Sequence, residues 1–167
     1  GQSKSLAVHP SSLKDPIRID YNMTLANSMG TTAITVIILN QTIFISNLGD
    51  SIAYLYFKGG KILQLNREHK PNLRDEQQRI SKSGSKIWNN RINGILNISR
   101  SLGDFKFKCN SMLKQNEQSI ISIPEIEILK YDSTAEFVVL ASDGFWNNSN
   151  YKEICRYISS QLKINVN

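Results

Sequence analysis

The 167-residue chain is 40% hydrophobic and 20% charged, enough apolar material for one domain with a buried core and unlike a disordered tail or a miniprotein. Its apolar runs are too short to cross a membrane, since Ala33–Leu39 is interrupted by Thr35 and ends at Asn40. The net charge of +6 comes from lysines and arginines scattered from Lys4 to Lys163, which reads as a solvated basic surface and not as the concentrated patch of a nucleic-acid interface.

The amino terminus, Gly1-Gln2-Ser3-Lys4, has no initiator Met and no long apolar stretch behind it, which predicts an excised fragment and not a secretory leader. Residues 1–29 carry turn formers such as Pro10 and Pro16 without a sustained period, so they form a lead-in, and the domain proper runs over 30–167. Thr32–Leu39 and Thr42–Leu48, rich in Ile, Val, Thr and Phe, flank Asn40-Gln41 and predict a hairpin with a two-residue loop. A third strand over Ile52–Phe57 puts Tyr54 and Tyr56 on one face and Ala53, Leu55 and Phe57 on the other, and Gly59-Gly60 turns it into Lys61–Leu65. The expectation is a meander of four consecutive antiparallel strands.

Beyond Pro71, Asn72 is placed to cap a helix over Arg74–Ser83, with Asp75 and Glu76 in its first turn, Lys82 in its last and Gly84 as its stop. Short strands are expected at Lys86–Trp88 and Gly94–Ile98, then an irregular excursion over Phe105–Gln118. Glu127–Tyr131 and Glu136–Ala141 read as strands, and Asn150–Leu162 spaces Tyr151, Ile154, Cys155, Ile158 and Leu162 as one helix face. Cys109 and Cys155 lie far apart with no CxxC partner, so neither a zinc motif nor a disulfide framework is expected, and the setting is reducing: intracellular, cytoplasmic or nuclear.

Three aspartates stand beside glycine at strand ends: Asp50 in Gly49-Asp50-Ser51, Asp104 in Gly103-Asp104, and Asp143 in Asp143-Gly144 after the buried run. Carboxylates so placed can hold a hard divalent cation such as Mg²⁺ or Mn²⁺, and the same dipeptides serve equally as ordinary turns. The histidines, His9 and His69, belong to no nucleophile motif, and no P-loop is present. Tyr54, Tyr56, Phe137 and Trp146 read as core or cross-strand packing, and Arg91 and Arg100 as structural hydrogen bonders before phosphate ligands.

In order, Gly30-Thr31-Thr32-Ala33, Asn47-Leu48-Gly49-Asp50-Ser51, Glu68-His69-Lys70-Pro71 with Asp75-Glu76 and Arg79-Ile80, Arg91-Ile92-Asn93-Gly94, Ser99-Arg100-Ser101-Leu102-Gly103-Asp104, Pro124-Glu125-Ile126 and Ala141-Ser142-Asp143-Gly144-Phe145-Trp146 resemble the metal-dependent protein phosphatases of the PP2C (PPM) family. The resemblance implies an α+β fold, a sandwich of two antiparallel β-sheets flanked by α-helices, incomplete in this chain. It implies hydrolysis of phosphoserine and phosphothreonine in a phosphoprotein substrate by a water activated on two or more Mg²⁺ or Mn²⁺ ions, with no protein nucleophile. Carried over by motif, Asp143 is a direct metal ligand, Asp50 lies by the metal centre, through water or at an additional metal site, and Asp104 matches a position more often structural than ligating.

The sequence departs from the family's pattern at identifiable points. No Asp-Gly-His-Gly stands upstream of Gly30 and no Asp-Asn follows the last helix, so the fragment alone is expected to be inactive and to leave sheet edges and apolar faces uncovered. Asn147 stands where an Asp usually follows the Trp, a poorer ligand for a hard cation, and Ile52 where an Arg is frequent. These departures admit a second reading, a catalytically inactive PP2C-like domain acting as a regulatory or interaction module.

Overall fold

Strands β1 (Gly30–Thr31), β2 (Ala33–Leu39) and β3 (Thr42–Leu48) open the computed structural model, which describes residues 27–164. Asn40 and Gln41 both take positive φ, 48° and 58°, the backbone of a type I′ turn whose twist matches that of the paired strands. On its other side β3 pairs with β9 (Glu125–Lys130), which begins two residues earlier than expected.

The expected four-strand meander is split between two sheets. After Leu48 the chain crosses over, and β4 (Ile52–Phe57) pairs with β5 (Ile62–Gln64) on one side and β10 (Ala135–Ala141) on the other. The cause is that β4 is apolar on both faces. Ala53 and Leu55 bury against Ile43 and Ile45 of β3, so the two strands must face each other across a core and not lie side by side. Tyr54 and Tyr56 occupy the opposite face with Trp146 and Cys155. The result is the expected sandwich of two antiparallel sheets.

Helix α1 (Arg74–Lys82) keeps Asp75 and Glu76 in its first turn and Arg79 and Lys82 in its last, but its N-cap is Leu73, without a side-chain bond, and not Asn72. Strands β6 (Ile87–Trp88) and β7 (Arg91–Ile92) pair with each other through Asn89-Asn90, again both at positive φ. The strand expected at Gly94–Ile98 is absent from this pairing. Gly94 turns at φ 72° and only Leu96 bridges back to Ile92. Strand β8 (Leu102–Gly103) returns to β1, and the excursion after it holds two short 3₁₀ turns, Phe105–Phe107 and Gln115–Glu117.

After β10 come the single turn α2 (Asp143–Trp146) and α3 (Tyr151–Ile164). The Asn150 carboxamide oxygen accepts the Lys152 N–H at 3.1 Å, and α3 lays Tyr151, Ile154 and Cys155 on the second sheet, with Tyr151 stacked on Tyr54 at 4.6 Å. Leu162, expected on that face, is left exposed. On the first sheet Ile37, Phe44 and Ile128 stand opposite one another in one cross-strand row and remain exposed, in keeping with the expectation of uncovered apolar faces. Of the lead-in only its last residues are described: the Met29 carbonyl accepts the Asp104 N–H at 2.7 Å and the Asn27 carbonyl the Lys106 N–H at 3.2 Å. His9 lies outside the described residues, among which no helix is long and apolar enough to cross a membrane.

Candidate metal centre

The β4–β10 ladder ends on the pair Ile52 and Ala141. Asp50 lies two positions before Ile52 and Asp143 two positions after Ala141, so the antiparallel register carries both aspartates to the same end of the same strand pair. Trp146, one turn beyond Asp143, donates its indole N–H to the Ala141 carbonyl at 2.9 Å and to the Ile52 carbonyl at 3.2 Å. A single indole thereby ties the two strand ends together. Trp146 packs as expected, edge-on to Tyr54 at 5.1 Å, and the clip that it also forms is visible only once the register shows which carbonyls converge on it.

The turn bearing Asp50 is fixed from several directions. Gly49 sits at φ +109°, and a Cβ there would stand 2.4 Å from the Thr32 methyl, so only glycine fits. Thr32 and Ser51 share a hydroxyl hydrogen bond of 2.8 Å, which joins the Gly-Thr-Thr segment to the Gly-Asp-Ser turn. Asn66 accepts the Ala53 N–H at 2.8 Å and donates to the Ser51 carbonyl at 2.9 Å. His69, fully buried, donates its backbone N–H to the Gly49 carbonyl at 2.9 Å while its Nδ1 accepts the Gly49 N–H at 3.0 Å. Because Nδ1 accepts, the neutral ring carries its proton on Nε2 and donates to Glu125 Oε2 at 3.0 Å. Next in sequence, Lys70 places its Nζ on Oδ2 of the buried Asp50.

Asp104 stands apart from this pair. Its carboxylate lies over Gly30, where a Cβ would approach Oδ2 to 1.9 Å, and accepts the Ser101 hydroxyl at 2.6 Å. Both contacts lie at the β1–β8 junction. Arg100 Nε and Nη2 donate to Glu76 Oε1 at 2.9 and 2.5 Å, and Arg91 donates to the Ile95 carbonyl at 2.7 Å, so both arginines serve the fold. Burial pushes the Glu76 carboxyl up, yet the hydrogen bonds from Arg100 and Arg79 prevail and hold it below the usual carboxylate range. No feature of the sequence marked Glu76 as a buried charge beyond its spacing of one turn from Ile80, which is also buried.

The donor set at the β4–β10 end is oxygen only, which suits a hard divalent cation. Asp50 is 4% exposed and already engages one cation, the Lys70 ammonium, so the position favours positive charge. Asp143, half-buried, adds a second carboxylate at the same end, while Asn147 is exposed and neutral. Among the described residues no three His, Cys, Asp or Glu side chains gather as a ligand set, and the β4–β10 end offers two carboxylates.

Burial, and next the charge of Arg100, push the His69 pKa below its ordinary value, outweighing the opposing pull of Glu125 and Glu76. A histidine whose folded pKa is depressed gives stability that is present above the unfolded value, about 6.5, and is lost as pH falls below it, because the unfolded chain then binds a proton that the fold does not. Urea unfolding should show stability falling between pH 7 and pH 5.5 with a slope of up to about 1.4 kcal/mol per pH unit from this residue. The excess slope should vanish in His69→Gln. An unchanged slope in that variant would refute the assignment.

Comparison with known proteins places these features in context. The family described as "Protein phosphatase 2C" matches residues 5–166. A Paramecium tetraurelia protein named "Probable protein phosphatase 2C 6" is 30% identical over 92% of this chain and 52% of its own length. Human "Protein phosphatase 1B" is 38% identical over 81% of this chain and 28% of its own. A crystal structure of a phosphatase from a pathogenic strain of Toxoplasma gondii superimposes with a TM-score of 0.67 at 29% identity, covering 74% of this chain and 39% of that one. The chain thus spans about half the length, or less, of these relatives.

Proposed function

The chain belongs to the protein phosphatase 2C family, and on that premise we propose that it is the central part of a domain that hydrolyses phosphoserine and phosphothreonine in proteins with the help of Mg²⁺ or Mn²⁺. The observation that supports this reading best is the register of β4 and β10, which brings Asp50 and Asp143 to one strand-pair end, where Trp146 bonds both strands. Asp50 and Asp143 are the carboxylates that would hold the cation. Bound there, a divalent cation would supply Lewis acidity, the chemistry that lowers the pKa of water and offsets charge on phosphoryl oxygens.

The protein's own part is to hold these carboxylates in place before substrate arrives. Gly49 lets the turn approach Thr32, His69 grips the turn by its backbone and its ring, and Trp146 keeps the two strand ends from fraying apart. Arg67 binds Glu125 Oε2 at 2.6 Å and Asp75 Oδ2 at 2.5 Å, and so orients the carboxylate that receives the His69 proton. Rigid support of this kind is what a site needs if little reorganisation is to accompany the reaction.

Release of phosphate from a phosphothreonine peptide by the full-length protein tests the reading. Turnover should require Mn²⁺ and stop with a chelator. Turnover that persists in chelator would overturn it.

A further inference from the structure

We propose that Lys70 is a displaceable counter-cation: its ammonium neutralises Asp50 while no divalent cation is bound and moves to Glu68 when one arrives. The inference rests on the reading of Asp50 as a metal-holding carboxylate and adds a regulator of that position. A carboxylate as buried as Asp50, 4% exposed, cannot stand uncompensated in the fold, because an unpaired buried charge costs several kcal/mol. Lys70 meets that need, with Nζ on Asp50 Oδ2.

The same ammonium has a second acceptor. Glu68 Oε1 lies 3.6 Å from Lys70 Nζ, and the Glu68 side chain is 38% exposed against 5% for Asp50. Lys70 therefore stands between an inner and an outer carboxylate. Its flexible stem allows exchange between them, while its backbone is held still: the neighbouring His69 is bonded to Gly49 at both backbone and ring, and the Lys70 carbonyl accepts the Leu73 N–H at 3.1 Å. The anchor is fixed and only the ammonium has room to move.

Two cations cannot both sit on one buried carboxylate without repulsion, so a divalent ion binding at Asp50 must displace Lys70, and its apparent affinity is lowered by the free energy of that exchange. Glu68 lowers the cost by receiving the displaced charge. The device sets a threshold: the position fills only where divalent cation is abundant.

The experiment is titration of the full chain with Mn²⁺, followed by the electron paramagnetic resonance of free Mn²⁺, in the wild type, Lys70→Gln, Lys70→Met, Glu68→Gln and Asp50→Asn. Both Lys70 variants should bind Mn²⁺ about tenfold more tightly, which corresponds to about 1.4 kcal/mol, and Glu68→Gln should bind it more weakly. Combining Asp50→Asn with Lys70→Gln should erase the gain. Thermal melting gives an independent readout: Lys70→Met should melt below wild type in chelator and recover in Mn²⁺, since a ligand that binds only the folded state raises its stability. Unchanged or weaker Mn²⁺ binding in the Lys70 variants, with Asp50→Asn still weakening the wild type, would overturn the displacement and leave the reading of Asp50 intact. Wild-type affinity in Asp50→Asn would overturn the reading of Asp50 and the displacement with it.

Discussion

Replacing Arg100 by alanine is expected to cost about 3–5 kcal/mol of folding stability, the range measured when one partner of a buried ion pair is removed. Its partner Glu76 is 1% exposed and is held ionised by two guanidinium groups, Arg100 on Oε1 and Arg79 at 2.7 Å from Oε2. Arg100 also donates to the Ile123 carbonyl at 3.1 Å, and Arg79 to the Ser99 carbonyl at 2.8 Å, so the pair joins α1 to the segments that flank β8. Truncating Arg100 would leave the carboxylate with half its compensation in a place where water cannot supply the rest. Small domains hold only about 5–15 kcal/mol in total, so the variant should be near the limit of folding. Urea denaturation of Arg100→Ala beside Arg91→Ala separates burial from charge alone, since Arg91 is exposed and should cost under about 1 kcal/mol. Equal losses in the two variants would contradict this account of the Glu76 network.

In the full-length protein, Asp143→Asn is expected to lower Mn²⁺ affinity and metal-dependent turnover by at least about 100-fold, more than the loss common for residues that merely support a ligand. The substitution keeps the shape of the side chain and replaces an anionic oxygen by an amide, a weaker donor to a hard cation. Asp143 is half-buried at the start of α2, where its carbonyl accepts the Asn147 N–H at 2.8 Å, a bond that the variant retains. The melting temperature in chelator should therefore change little. Initial rates and a Mn²⁺ titration on the same preparation decide the matter: loss of both with the fold intact supports the assignment, and wild-type values of either count against it.

The parts of this fold that were legible in the sequence are those governed by local rules. The β2–β3 hairpin followed from two β-branched runs and a two-residue polar loop, and the face of α3 that carries Ile154 and Cys155 followed from helical spacing. The split of the meander was not legible, because alternation in β4 states that both faces are apolar but not which strand lies across the core. The Asn89-Asn90 turn has no clear signal in the sequence, because the strands of so short a hairpin hold two residues each. The aspartates stand out in the sequence as carboxylates beside glycine at strand ends, and their metal roles come only with the family resemblance. Their convergence depends on a pairing between residues 52 and 141, a separation no local pattern encodes. Lys70 and His69 stood in a recognised motif without an assigned part, since their partners, Asp50 and Gly49, lie some twenty residues away.

Anomalous diffraction from crystals grown with Mn²⁺ decides whether Asp50 and Asp143 hold one divalent cation at the β4–β10 end, as proposed. The expected result is a manganese peak in contact with both carboxylates and the Lys70 ammonium turned toward Glu68. A well-ordered manganese that touches neither aspartate would contradict it.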